Sequence, residues 1–235
     1  MTVTKDKLIF ISANNQIPEK SVMHSYKLND LTNIFKKEYS NTGHGNGMTY
    51  NSKTDKVLVT VGNNNSIYEY NGETLIIEKE YPRPTYPIFS AIGYDYNNDL
   101  YIGIMGGRIF LADTINLRRL TDFCYLMFET EQDLEYYNGY IFTCNTDFGV
   151  DIKHQSYSFF TGYEIIYIYD AKLDNNKKPT KNFGRLIARL IMTKLGELEG
   201  ISFRNGYIYF AFATKGYNFY KLDYKTFAEK IKKIS

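Results

Sequence analysis

The sequence predicts an all-β protein, a five-bladed β-propeller with four antiparallel strands per blade. Three observations predict it. Aromatic residues make up 17% of the chain, with 23 Tyr and 16 Phe but no Trp, and they sit in short alternating runs broken by Asn, Gly and Asp. This is strand composition with turn punctuation. Five segments repeat one pattern of short strand, tight polar turn and longer apolar strand: MTVTKDKLIFISA, MTYNSKTDKVLVTV, IGYDYNNDLYIGI, LEYYNGYIFTC and ISFRNGYIYFAF. Each is followed by a Tyr- and Ile-rich run and then a more polar one, so strand types recur in fixed order. A sandwich or a simple barrel has no reason for that recurrence.

The elements follow blade by blade. The second strands begin near Leu8, Val57, Leu100, Tyr140 and Tyr207, spaced 49, 43, 40 and 67 residues apart. The long spacing marks an insertion in the fourth blade, NTDFGVDIKHQSYSFFTGY, residues 145–163. The blades are expected at about 1–40, 46–81, 89–127, 132–190 and 198–235, all in one domain spanning 1–235. Asn138-Gly139 and Asn205-Gly206 are hairpin signals, because both central residues of such a turn take positive φ. Gly47, Ala91, Gly93 and Gly200 are expected in the crowded innermost strands. Third strands are SVMHSYKL, SIYEYNG, GRIFLADT, EIIYIYDA and YNFYKLD, and fourth strands are NIFKKEY, LIIEKEY, LRRLTDF, FGRLIARL and KIKKIS. Met1 to Thr4 reads as the innermost strand of the first blade. Closure is then expected from side-chain packing between first and last blades, with no shared strand.

Charge and targeting signals narrow the functional classes. The 28 basic and 26 acidic residues leave a net charge of +2 without blocks of either sign, so DNA and RNA are not implied partners. No run approaches the about 20 apolar residues of a membrane span. The start carries no signal-peptide pattern, and synthesis in the cytoplasm is expected, with release by lysis or incorporation into a virion open. Cys124 and Cys144 lack metal-ligand spacing; reduced thiols are the default and a disulfide stays open.

In a propeller, loops joining strand four to the next strand one share a face with loops joining strands two and three. On this chain that face collects the unusual segments, while the opposite face carries short polar turns. In SNTGHGNG, Gly43, Gly45 and Gly47 turn the chain into an innermost strand, leaving His44 and Asn46 near the mouth of the central channel. Arg83 and Tyr86 lie in the Pro-stiffened loop YPRPTYPIFS, suited to an anionic or sugar ligand. Glu131, Gln132, Asp133, Glu197 and Glu199 come from two blades towards the axis, where repulsion favours a cation, a protonated carboxyl or hydrogen bonds to hydroxyls. His154 and Tyr157 belong to the aromatic insertion, which reads as a lid on a flat ligand, as a self-association surface or as self-packing. His44, Asn46, Arg83, Tyr86, Gln132, Glu135, His154, Tyr157 and Glu199, nine residues, form the candidate ligand set.

No nucleophile elbow, zinc-ligand pair, phosphate loop or dinucleotide fingerprint is present, and no cofactor or metal is implied. A carboxylate pair such as Glu135 with Glu199 could do acid/base work, yet nothing local separates an acid from a base. Binding is favoured over catalysis; an enzyme, if there is one, would be a hydrolase of a glycan or a phosphodiester.

The segments GHGNGMTYNSKTDKVLV, EQDLEYYNGYIF and LEGISFRNGYIYFAF resemble blade starts of helveticin-J-like bacteriocin proteins and of propeller platforms in phage receptor-binding proteins. The resemblance implies recognition of a cell-wall glycan such as a teichoic-acid sugar, with His44 and Asn46 at the motif positions. Gly47 stands where the motif calls for an acidic residue, and the fibrous stem is absent. The Asn-, Lys-, Ile- and Tyr-rich composition suits a phage or low-GC bacterial genome. Two other readings stand beside it: an intracellular phage protein that sequesters or cleaves a nucleotide immune messenger, and a scaffold that docks a protein partner.

Overall fold

In the computed structural model the chain forms five antiparallel sheets, the blades of a five-bladed propeller. The structure describes residues 1–14, 20–39, 45–61, 66–81, 90–105, 108–121, 133–151, 156–192, 197–213, 217–230 and 232–233. Blade one contains β1 (Thr2–Val3), β2 (Lys7–Asn14), β3 (Lys20–Lys27) and β4 (Asn33–Tyr39), in that spatial order. Blade two contains β5 (Gly45–Asn51), β6 (Lys56–Val61), β7 (Ser66–Asn71) and β8 (Ile77–Tyr81). Blade three contains β9 (Ala91–Asp95), β10 (Leu100–Met105) and β11 (Arg108–Asp113). Its outer edge among the described residues is a single bridge between Ala112 and Arg119.

Blade four contains β12 (Asp133–Tyr137), β13 (Tyr140–Asp151), β14 (Ser156–Asp170) and β15 (Leu186–Met192). The insertion extends the β13–β14 ladder through Asp151 opposite Ser156, with a register shift between Asp147 and Gly149. Blade five contains β16 (Glu197–Arg204), β17 (Tyr207–Ala213) and β18 (Tyr217–Asp223).

The last element departs from the expected fourth strand of blade five. Residues Tyr224–Lys230 form a helix, α1, and β19 (Lys232–Lys233) pairs with β15 of the neighbouring blade. Asp223 caps the helix, its Oδ1 accepting from the Thr226 N–H at 3.0 Å. Phe227 turns inward and is fully buried. Among the described residues no helix is long and apolar enough to cross a membrane.

Turns follow their local sequence. In blades two and three, Asn51 Oδ1 accepts from the Lys53 and Thr54 amides, and Asp95 Oδ1 from the Asn97 and Asn98 amides. Blades four and five use Asn138-Gly139 (φ 51° and 81°) and Asn205-Gly206 (φ 50° and 78°), the positive pair expected of a two-residue hairpin.

Five buried apolar clusters hold the blades together, and each joins two adjacent blades. The first and second share Ile9, Met23, Tyr39, Val59 and Tyr70, while the fifth and first share Phe10, Leu8, Tyr209 and Ala211 with Met1 and Val3. The ring therefore closes by packing, supplemented by the Val3 N–H donating to Ser202 Oγ at 3.1 Å. A repeated detail fixes neighbouring blades: Leu75 and Leu117 adopt φ 53° yet are buried. Tyr39 of blade one donates its hydroxyl to the Leu75 carbonyl, and Tyr81 of blade two shares a cluster with Leu117. Burying leucine offsets the cost of left-handed backbone. The equivalent Leu31 in blade one is 42% exposed. Its tyrosine partner would come from a fourth strand of blade five, where the chain forms α1.

Crowding at the axis is sharpest at Gly47, where an added Cβ would lie 2.7 Å from Ala91 Cα. Because the obstruction is backbone, no rotamer relieves it. Gly47→Ala is expected to lower folding stability by about 1–3 kcal/mol, measurable by urea unfolding. An unchanged midpoint would mean that the innermost strands can slide apart at no cost.

Candidate functional site

The innermost strands β1, β5, β9, β12 and β16 run along the axis towards the short hairpin turns. Strand pairing sets Thr2, Thr49, Gly93, Glu135 and Ser202 level with one another, and Ala91, Asp133, Gly47 and Gly200 two residues further back. At the hairpin face the strands diverge around a cavity of about 440 Å³. Its walls are Tyr50, Tyr94, Tyr96, Tyr136, Tyr137 and Phe203, with Ser52 and Arg204 among them and Thr2, Val3, Glu135 and Ser202 completing the lining.

The side chains inside are held by a small hydrogen-bond system. Ser202 Oγ donates to Glu135 Oε2 at 3.3 Å, and the Tyr136 N–H donates to Glu135 Oε1 at 3.1 Å. Asp133, two residues earlier on the same strand, accepts from the Met1 ammonium and the Ile201 N–H, each at 3.3 Å. Burial raises the Asp133 carboxyl to about 6 against the opposing pull of that ammonium. Glu135 is pushed well above the usual carboxylate range, first by burial and then by the Asp133 charge. A neutral Glu135 can donate a proton to a ligand as well as accept one.

Three tyrosine hydroxyls of the wall, those of Tyr50, Tyr94 and Tyr136, are also shifted upward. Tyr50 donates to Asp55 at 3.0 Å and Tyr94 to Asp99 at 2.8 Å. Burial and these carboxylates push Tyr50 up to about 12 and Tyr94 higher. Tyr136 is raised by burial and by Asp95. Tyr96 is 57% exposed, with the Lys53 ammonium 4.9 Å from its ring centroid.

Of the nine residues singled out from the sequence, Glu135 lines this cavity. Asn46 and Glu199 occupy matched bulges in β5 and β16, between Gly45 and Gly47 and between Leu198 and Gly200. Those bulges lie at the far end of the innermost strands, so Glu199 is three residues back along β16 from the Ser202 that binds Glu135. Tyr157 pairs with Val150 in the extended β13–β14 ladder. His44, Arg83, Tyr86, Gln132 and His154 lie outside the described residues, as does Cys124. Cys144 is a free, buried thiol, raised by burial and by Asp133. The sequence alone does not single out Tyr50, Tyr94, Tyr136 and Phe203, because each stands one residue pair back from its hairpin turn and reads as ordinary strand. Their recurrence at one position of four blade starts was the available signal.

The fold and this axial site define a five-bladed propeller with an open, aromatic-walled cavity at one end of its channel. The glutaminyl cyclase of Myxococcus xanthus is similar in structure, with a TM-score of 0.59, 11% identity, and coverage of 86% of this chain and 84% of that one. A chain of the nidogen/laminin complex has a TM-score of 0.55 and 10% identity, covering 97% of this chain and 92% of that one. The hydrazine synthase of Kuenenia stuttgartiensis has a TM-score of 0.47 at 11% identity over 81% of this chain, which spans 49% of that chain's length. At such identities the likeness extends to the fold alone. No family model matches the chain, and no curated protein matches it.

Proposed function

We propose that the protein is a non-catalytic binding propeller that takes a small polar ligand at the mouth of its central channel, in the cavity at the hairpin face. The carrying observation is that cavity, about 440 Å³ in volume, sized for a sugar or similar small molecule, with aromatic walls above a hydrogen-bonding floor. Tyrosine and phenylalanine faces suit the apolar side of a sugar ring, and Glu135, Ser202 and Ser52 suit its hydroxyls. The resemblance of the blade starts to phage receptor-binding platforms and helveticin-J-like proteins favours a cell-wall glycan or teichoic-acid sugar within this class. Binding is favoured over catalysis because Glu135 is, among the described residues, the one carboxylate lining the cavity, while Asp133 is engaged by Met1 and Ile201.

Isothermal titration with amino sugars and teichoic-acid fragments tests the reading, with Tyr96→Ala as the site variant because its exposed ring is not needed for folding. Loss of one stacking ring is expected to weaken binding by about 0.5–1.5 kcal/mol, roughly two- to twelvefold. Binding untouched by Tyr96→Ala but abolished by His44→Ala would move the site to the other mouth.

A further inference from the structure

We infer that the axial cavity is an anion site in which Arg204 pairs with a carboxylate or phosphate group carried by the ligand. This rests on the reading of the cavity as a ligand site and names the chemistry of what enters it. Arg204 ends β16 in the cavity wall, half-buried. Its Nε is enclosed and has no hydrogen-bond partner, and among the described residues Arg204 makes no ion pair.

Comparison among blades sharpens the point. The same position is Thr4, Asn51 and Asp95 in the first three blades, and each has a local task. Thr4 Oγ1 accepts from the Lys7 amide, Asn51 and Asp95 organise their turns, and Asn51 Nδ2 also reaches the Tyr101 hydroxyl at 3.1 Å. In blade five the turn is made by Asn205-Gly206 themselves. Arg204 is therefore spared from turn formation.

Three of the surrounding carboxylates are otherwise engaged, and a fourth, exposed Asp6, acts on Tyr50, as Arg204 does with the opposite sign, but forms no ion pair with Arg204 among the described residues. Glu135 is bound by Ser202 and the Tyr136 amide, Asp55 by the Tyr50 hydroxyl, and Asp95 by its own turn. Buried donors without partners are rare in folded proteins, and this one belongs to a guanidinium whose side chain lines the cavity, so a ligand group entering beside it supplies the missing acceptor. A guanidinium presents a planar fork that matches carboxylate and phosphate oxygens. Glu135, pushed by burial towards its neutral form, opposes an anion beside it less than a solvated carboxylate would. The rings of Tyr50, Tyr96 and Phe203 leave room for a flat or saturated body behind the anionic group.

The experiment uses ligand pairs that differ only by the charged group: glucose, glucuronate and glucose 6-phosphate, with adenosine and AMP as a second body. Affinities are measured by titration calorimetry, and the Arg204 Nε–Hε resonance is followed by NMR. In the native chain the charged member is expected to bind at least about tenfold tighter than its neutral partner, in keeping with hydrogen bonds to charged groups. The Arg204 resonance should move with it, and added salt should weaken it. Arg204→Gln should remove the preference, and Arg204→Lys should keep part of it, both variants being checked for an unchanged melting temperature. The glucuronate and phosphate arms tell which oxyanion is taken. Equal binding of charged and neutral members, or a preference that survives Arg204→Gln, overturns the inference while leaving the cavity as a ligand site. No binding of any probe, with an unmoved Arg204 resonance, counts against both.

Discussion

Replacing Phe227 with Ala is expected to lower folding stability by about 3–5 kcal/mol, the range for deleting a fully buried phenyl ring. Phe227 is the inward anchor of α1, 0% exposed, with Phe210 at 6.0 Å and Phe142 at 6.4 Å between ring centroids. Those two rings belong to different blades, so the helix packs over the joint between the fourth and fifth. Tyr224, at the start of the helix, adds edge contacts to Tyr137 and Phe203. Beyond the helix, β19 continues across the joint and pairs with Ala188 and Arg189 of β15. Removal of the ring therefore loosens two blades and frees the outer edge of β15. Urea unfolding measures the stability loss, with the exposed Lys225→Ala as a neutral control. Hydrogen exchange at Ala188 and Arg189 should quicken in Phe227→Ala beyond what global unfolding explains. A loss below about 1 kcal/mol would mean that α1 is not held by its buried face.

The same segment illustrates what sequence reasoning could and could not reach. Repeat spacing, turn chemistry and small axial residues were legible because each is a local rule applied several times. Asn138-Gly139 and Asn205-Gly206 have the backbone that their composition demands. Gly47 and Gly200 lie where another blade's backbone or Met1 leaves no room for a side chain. KTFAEKIKKIS, by contrast, occurs once. Its helix is a single short stretch whose signal is Asp223 as a cap and one inward Phe, and the repeat order places the fourth strand, KIKKIS, from the last residue of that helix onward. The cavity escaped for a related reason. Tyr50, Tyr94, Tyr136 and Phe203 are individually ordinary strand residues, and only closing the ring turns them into one wall. The sequence reading placed functional interest on the glycine- and proline-rich loops, most of which lie outside the described residues, and read the hairpin face as turn chemistry.

Folding stability is expected to fall as pH rises from about 4 through 6 and beyond, the reverse of ordinary acid denaturation, because two axial carboxyls are buried with raised pKa values. The sign follows from proton counting. Between the unfolded and folded pKa the native state holds a proton that the unfolded state has released, so raising pH favours unfolding. For Asp133, from 3.8 unfolded to about 6 folded, the loss is about 3 kcal/mol, complete once pH exceeds the folded value. Glu135, raised further along the same direction, extends the decline to higher pH. Exposed Asp30 and Glu78 are shifted the other way, and their contribution is lost as pH falls below the ordinary carboxylate range. Glu135→Gln isolates the axial effect, because the amide fills the same space and can still meet Ser202. Near pH 4.5 the variant and the native protein should unfold at similar urea concentrations. At pH 8 the variant should be the more stable, having shed the cost of a buried charge beside Asp133. Equal differences at both pH values would show that Glu135 titrates like a solvated carboxylate. In that case the cavity floor would carry a full negative charge at neutral pH, and an anion could approach Arg204 only from the side away from Glu135.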